Sequence, residues 1–370
     1  MSKNVVLCLD GTNNTIKAEQ SNVLRLYGVL RKDLPHQQVS YYQPGVGTFS
    51  SPGTWTPVGR SLTRLLGLGF GFGFRQNLGD AYRFLMSVYE PGDRIYLFGF
   101  SRGAYTARAV VGMLDMFGVF RRGTENLVPH AVNHYVRRVD DKTIDWALAR
   151  QYAALLSGQG NSEGNDHVAV HFLGLWDTVN AIGTLRRQIT LPYTSILPHV
   201  SVIRHALAID EVRRAYRPYW IGSRERLRTH TTPPPRGNVE EVWFPGVHSN
   251  VGAMFKDEQP VSLIPLLWMI DEACEHDLYV DEHRAAELRK LLTWDLAAAP
   301  LHVMGGPWKL MGRSRRRLHT RPRVHASVRH RIKADPEYAR RLPPNIQYVD
   351  EEWHRSITQS NRSEDEPAVE

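Results

Sequence analysis

Ile95-Tyr96-Leu97-Phe98-Gly99-Phe100-Ser101-Arg102-Gly103-Ala104 is the stretch on which the fold turns. The apolar run Ile95 to Phe98 predicts a buried strand, and Ala104 to Leu114 predicts a helix. A Gly-x-Ser-x-Gly pentad between a strand and a helix is a nucleophile elbow. Small residues on both sides let the chain turn sharply, so the serine hydroxyl projects from the end of a sheet. The competing reading is a glycine-bracketed turn with an inert serine, which the strand-then-helix context disfavours.

Working outward, Val5 to Leu9 is a continuous apolar run closed by Asp10-Gly11, the pattern of a buried parallel strand. Asn22 is placed to cap a helix through Leu30. Val39 to Gln43 predicts a second strand, residues 46–75 a long loop, and Leu78 to Tyr89 a helix ended by Pro91-Gly92. Residues 121–165 have the composition of an insertion, with a helix near Trp146 to Leu156. Val168 to Leu175 and Val242 to Phe244 predict further strands, whereas Val202 to Ile209 fits a strand or a helix face equally well. Helices are expected near 261–276 and 283–293. The expectation is one α/β domain over residues 1–300, of the α/β-hydrolase kind, with a mainly parallel sheet and helices on both faces. Residues 301–358 form a basic, loop-rich extension, and 359–370 a polar tail expected to be disordered.

With 370 residues the chain can bury a sizeable core. Cys8 and Cys274 offer neither a disulfide framework nor metal-ligand spacing, and no cofactor is expected. No secretory leader is read before the first strand, and the weakly polar stretch Leu65 to Phe74 is too short to span a bilayer. Phe70, Phe72 and Phe74 within it suit an apolar acyl site or lid, or ordinary core packing. Net charge is +8, and the excess lies late in Arg313, Arg315, Arg316, Arg317, Arg321 and Arg323, then Arg329, Arg331, Lys333, Arg340 and Arg341. Such a run suits contact with an anionic lipid surface or is a solvated face; no nucleic-acid motif accompanies it, and no nucleic-acid partner is expected.

A serine needs a base to take its proton and an acid to orient that base, in the chain order Ser, Asp or Glu, His. His248 fits best, in a loop just beyond the strand ending at Phe244. His205, His230, His302, His319 and His325 lack that setting. Two acids compete. Asp177 ends the strand closing at Trp176; Asp210 follows Ala206 to Ile209, and is favoured if that run is a strand. Oxyanion donors are expected from the backbone N–H of Arg102 and from Gly11 or Thr12 after the first strand.

Six blocks occur in one order: Leu9-Asp-Gly-Thr-Asn-Asn14, Gln43-Pro-Gly-Val-Gly-Thr48, Gly99-Phe-Ser-Arg-Gly-Ala-Tyr-Thr-Ala-Arg108, Leu175-Trp-Asp-Thr-Val179, His205-Ala-Leu-Ala-Ile-Asp-Glu211 and Trp243-Phe-Pro-Gly-Val-His-Ser-Asn-Val-Gly252. Together they resemble the α/β-hydrolase domain of the type VI secretion lipase effector (Tle) family, in its Gly-Phe-Ser-Arg-Gly class, over about residues 3–255. Weaker likeness extends to Val324–Arg331 and Leu342-Pro343-Pro344. The resemblance implies a Ser-Asp-His esterase acting on phospholipid acyl esters, with Ser101, Asp210 and His248 as the three residues. It also implies export in folded form and a partner of the immunity or secretion-carrier kind. One departure is Asn250 in the last block, where the family pattern has aspartate.

Overall fold

The computed structural model describes residues 2–11, 20–45, 70–136, 145–157, 168–179, 183–184, 187–188, 191–222, 238–253, 261–301, 313–318 and 321–355. Thr12, His230, His302, His319, residues 46–69 and the tail from 359 lie outside them. The strands, in chain order, are β1 (Asn4–Leu9), β2 (Gln38–Gln43), β3 (Arg94–Phe100), β4 (Val170–Trp176), β5 (Gly183–Thr184), β6 (Arg187–Gln188), β7 (Val200–Ala208), β8 (Asn238–Phe244), β9 (Arg323–His325) and β10 (Gln347–Val349). Eight of them form one sheet in the order β10-β9-β8-β7-β4-β3-β1-β2, and β5 and β6 make a separate two-stranded ribbon. The pairings of β1 with β2 and β3, of β3 with β4, and of β9 with β8 and β10 are all parallel. This is the α/β architecture the sequence predicts.

The chain divides into two compact units. The first comprises Met1–Thr15, Lys32–Ile203 and Tyr219–Val239. Every residue of β1 is buried, as expected of a parallel strand covered on both faces. Its register sets Leu9 against Gly99, which brings Asp10 and the end of β3 to one edge. Beyond β3 the chain enters a helix, Arg102–Phe117, whose sides are buried nearly all round. That helix stops at Gly118, whose N–H closes the last turn onto the Leu114 carbonyl. The helix preceding β3 starts at Phe70, not Leu78, and runs to Val88. Alternating glycines and phenylalanines mimic a loop in sequence, yet Phe74 is fully buried and its ring lies 6.0 Å from that of Tyr105.

The second unit comprises Ile16–Arg31, Arg204–Pro218 and Glu240–Glu370. Its helix Asn22–Val29 is capped by Ser21, whose hydroxyl accepts from Leu24 N–H at 3.1 Å. Asn22, expected as the cap, instead donates from its side chain to the carbonyls of Val251 (2.9 Å) and Ser262 (2.8 Å). The region after 300 holds more order than its composition suggests. Besides β9 and β10 it carries a helix, Ser327–Ala334, and the buried His325 stacks on Phe244 at 4.6 Å. His325 is thereby structural, bonded to Ser327 Oγ (2.8 Å) and Asp350 (2.9 Å).

Candidate active site

Ser101 sits between β3 and its helix with φ 58° and ψ −118°. A non-glycine residue pays strain to stay there, and such conformations persist where surrounding structure over-determines them. The flanking glycines show what holds the turn. A Cβ on Gly103 would lie 2.2 Å from the Leu9 carbonyl oxygen, and one on Gly99 would lie 2.6 Å from Ala104 Cα. Both approaches are backbone against side chain, so no rotamer change relieves them. Ser101 N–H donates to the Trp176 carbonyl at 3.0 Å, extending the β3–β4 ladder to the turn itself.

Around Ser101 the first unit gathers three of the predicted positions. Arg102 is the first residue of the helix, where backbone N–H groups have no partner within the helix. Gly11 comes close enough that a Cβ on it would stand 3.3 Å from Ser101 Cβ. Its N–H points to Asp10 Oδ1 at 2.6 Å, while Asp10 Oδ2 accepts from the Tyr42 hydroxyl at 2.8 Å. Burial and that carboxylate together push the Tyr42 phenol far up. Asp177 follows directly on β4, fully buried, with φ 40°.

The second unit carries His248 and Asp210. β7 is a strand, which resolves the helix-or-strand ambiguity of residues 202–209, and Asp210 lies just beyond it. Its carboxylate accepts from Gly246 N–H (2.7 Å), the Tyr338 hydroxyl (2.8 Å) and the Arg341 guanidinium (2.5 Å). His248 is not among these partners. Burial and the adjoining Asp210 drive the Tyr338 phenol strongly upward; burial lowers Arg341, but the same carboxylate outweighs it and holds the guanidinium above its ordinary value.

His248 opens a short helix, His248–Gly252, and is nearly buried. Asn250, the departure noted in the sequence, accepts from Val247 N–H at 3.2 Å, so an amide oxygen holds this loop. The backbone N–H of His248 donates to Glu211 Oε2 at 3.2 Å. Glu211 in turn accepts two hydrogen bonds from the Arg213 guanidinium (2.9 and 2.8 Å). Arg213 lies 3.7 Å over the Tyr216 ring, and Tyr216 meets the His248 imidazole edge-on at 4.8 Å. Burial raises the Glu211 carboxyl, but Arg213 and His248 outweigh it and hold it below its ordinary value. Sequence reasoning missed Glu211, Arg213 and Tyr216 as supports of the base. Their signal is an acid two residues before an arginine, directly after the strand that ends near Asp210.

A parallel sheet whose third strand ends in a strained serine, followed at once by a buried helix, defines an α/β-hydrolase. A family model described as T6SS, Phospholipase effector Tle1-like, catalytic domain matches residues 3–272, and the chain belongs to that family. A curated relative, the uncharacterized protein YEL023C of Saccharomyces cerevisiae, is 36% identical over 223 residues, which is 58% of this chain and 32% of that protein. The chain thus spans about a third of its relative's length. Two solved structures are more distant. An uncharacterized protein from Pseudomonas aeruginosa is 20% identical with a TM-score of 0.41, covering 84% of this chain and 52% of its own. A Tle1 effector solved bound to the VgrG spike of the Type 6 secretion system is 18% identical with a TM-score of 0.32, covering 68% and 51%. No helix among the described residues is long and apolar enough to cross a membrane.

Proposed function

We propose that this chain is a serine esterase that hydrolyses acyl esters of phospholipids, with Ser101 as nucleophile and His248 as base. The left-handed backbone of Ser101 carries the proposal, since only a demand on the hydroxyl's direction explains keeping a side chain at that turn. His248 takes the Ser101 proton as the hydroxyl attacks the ester carbonyl. The tetrahedral oxyanion is held by the Arg102 N–H and by the loop after β1 through Thr12, since the Gly11 N–H is taken by Asp10 Oδ1. Alcohol leaves with the proton from His248, and water activated by the same imidazole releases the fatty acid.

For the acid, the observations favour Asp177 over Asp210. Asp210 spends its carboxylate on Gly246, Tyr338 and Arg341. Asp177 leaves β4, the strand paired with that of the nucleophile, fully buried and in a strained conformation. Family membership supports phospholipid as the substrate class, and a role as a type VI secretion effector with a carrier or immunity partner is part of the same proposal.

A fluorophosphonate probe tests the enzyme reading. Native protein should label at one serine and Ser101→Ala should not. Absent labelling of the native chain, or labelling that survives the substitution, removes Ser101 from catalysis. Comparing phospholipid vesicles with short-chain soluble esters then separates a lipase from a small-ester hydrolase.

A further inference from the structure

The arginine run beginning at 313 is not one uniform surface. Several of its members are committed within the second unit. Arg323 pairs with Glu240 (2.7 Å), Arg329 with Glu351 (2.6 Å), Arg340 with Glu337 (2.5 Å) and Arg341 with Asp210 (2.5 Å). Arg331 donates to the Ala299 carbonyl at 2.6 Å. Arg316 is half-buried and bonds the carbonyls of Ala208 (3.0 Å) and Tyr216 (2.6 Å).

Apart from the exposed Arg321, what remains of the run is concentrated. Residue 213 bridges residue 313 in antiparallel fashion, and Ser314 N–H donates to the Val212 carbonyl at 2.8 Å. The two segments therefore lie side by side, with Arg316 pinning one to the other. Arg214 and Arg217 on the first, and Arg313, Arg315 and Arg317 on the second, are exposed. The side chains of these five make no ion pair or hydrogen bond with a described residue. In residues 211–218 and 313–318 the only carboxylate is Glu211, which is buried and spent on Arg213 and His248. Gathering like charges without counter-charge destabilises a folded surface, and an external polyanion relieves that.

We propose that these five arginines form a docking surface for an anionic phospholipid bilayer, placed beside the candidate base. The proposal rests on the phospholipase reading above for its choice of polyanion. Continuity supports it: Tyr216, lying between Arg214 and Arg217 in the chain, is the residue whose ring packs on His248. Nucleic acid is a poorer match, because strand binding pairs basic residues with aromatic faces offered to bases. Tyr216, the aromatic in these segments, has its ring taken by Arg213 and His248.

The test uses the full chain and co-sedimentation with vesicles of phosphatidylcholine alone or mixed equally with phosphatidylglycerol. Binding is read on the Ser101→Ala protein, so that hydrolysis does not erode the vesicles. Binding should require phosphatidylglycerol and should fall with added salt. Adding Arg313→Gln, Arg315→Gln and Arg317→Gln together should weaken it on the order of 100-fold, at about fivefold per arginine. In the chain with Ser101 intact, the triple variant should lose hydrolysis in mixed vesicles while turning over a soluble short-chain ester at the native rate. Arg214→Gln with Arg217→Gln is the second variant, acting on the other segment. Equal binding to both vesicle types, undiminished binding by both variants, or tighter binding to duplex DNA than to mixed vesicles at one salt concentration would overturn the assignment. Native protein that binds mixed vesicles yet hydrolyses no ester sinks the enzyme reading and leaves the docking surface standing.

Discussion

Ser101 and Asp177 leave neighbouring parallel strands one residue past the matched pair Phe100 and Trp176, and both have left-handed backbone, at φ 58° and 40°. Side chains at strand ends normally splay with the sheet twist. These two facing residues, one past the last matched pair on each strand and both bent out of the strand conformation, place a hydroxyl-bearing and a carboxylate-bearing residue at one edge. Each such bend costs roughly 1–3 kcal/mol, so the fold carries two strained residues side by side.

Replacing Ser101 by glycine separates strain from chemistry. Glycine adopts φ 58° without penalty, although it also loosens the unfolded chain. Ser101→Gly should abolish ester hydrolysis and raise stability by about 1 kcal/mol, seen as a higher melting temperature. An unchanged or lower melting temperature would mean that the turn stores no strain.

Gly103→Ala should do the reverse. The new methyl would meet backbone oxygens of both Leu9 (2.2 Å) and Asp10 (2.5 Å), which belong to β1 and the loop after it. Neither can move without breaking the β1 ladder. The expected cost is about 3 kcal/mol or more, and thermal unfolding against the native chain measures it. A loss below about 0.5 kcal/mol would show that the elbow is looser than its geometry implies.

The strands around Ser101 are legible in the sequence because parallel strands buried on both faces are continuous apolar runs, as β1, β3 and β4 all are. His248 is legible for a related reason: its loop follows the buried end of β8. β9 and β10 are not, being three residues each, the first opening on Arg323 and the second followed at once by Asp350. The choice between Asp177 and Asp210 is equally hidden, since both follow strands. What speaks against Asp210 is who donates to its carboxylate, and those donors include Tyr338 and Arg341, more than a hundred positions away. No local pattern encodes that. The start of the helix at Phe70 was obscured by its own glycines, whose flexibility the packing of Phe74 overrides.

Asparagine substitutions distinguish the two acids by different observables. Asp177→Asn should lower kcat roughly ten-thousandfold, as loss of a triad acid does, with soluble-ester KM nearly unchanged. Asp210→Asn should act on stability. It weakens the charged contacts to Arg341, Tyr338 and Gly246, at about 2 kcal/mol once the half-exposed Arg341 is discounted for solvent screening. The kcat of its folded fraction should stay within about tenfold of native. An inverted pattern, with Asp210→Asn inactive and fully stable, would return the acid role to Asp210.

Glu211 gives the pH dependence of this site a definite sign. Its carboxyl is held below the ordinary value of 4.5, against burial, by Arg213 and His248. A depressed carboxyl stabilises the fold above its unfolded pKa, and that contribution disappears as pH falls through the folded value. Glu211→Gln should therefore be less stable than native near neutral pH, and the gap should close as the medium is acidified below about pH 4. Because Gln retains an oxygen acceptor for His248 N–H but no charge for Arg213, its kcat should fall less than that of Glu211→Ala. Urea unfolding of native and Glu211→Gln across this range is the measurement. A gap that widens on acidification would mean that Glu211 is already protonated in the folded protein, and that the Arg213 clamp on Tyr216 is not ionic.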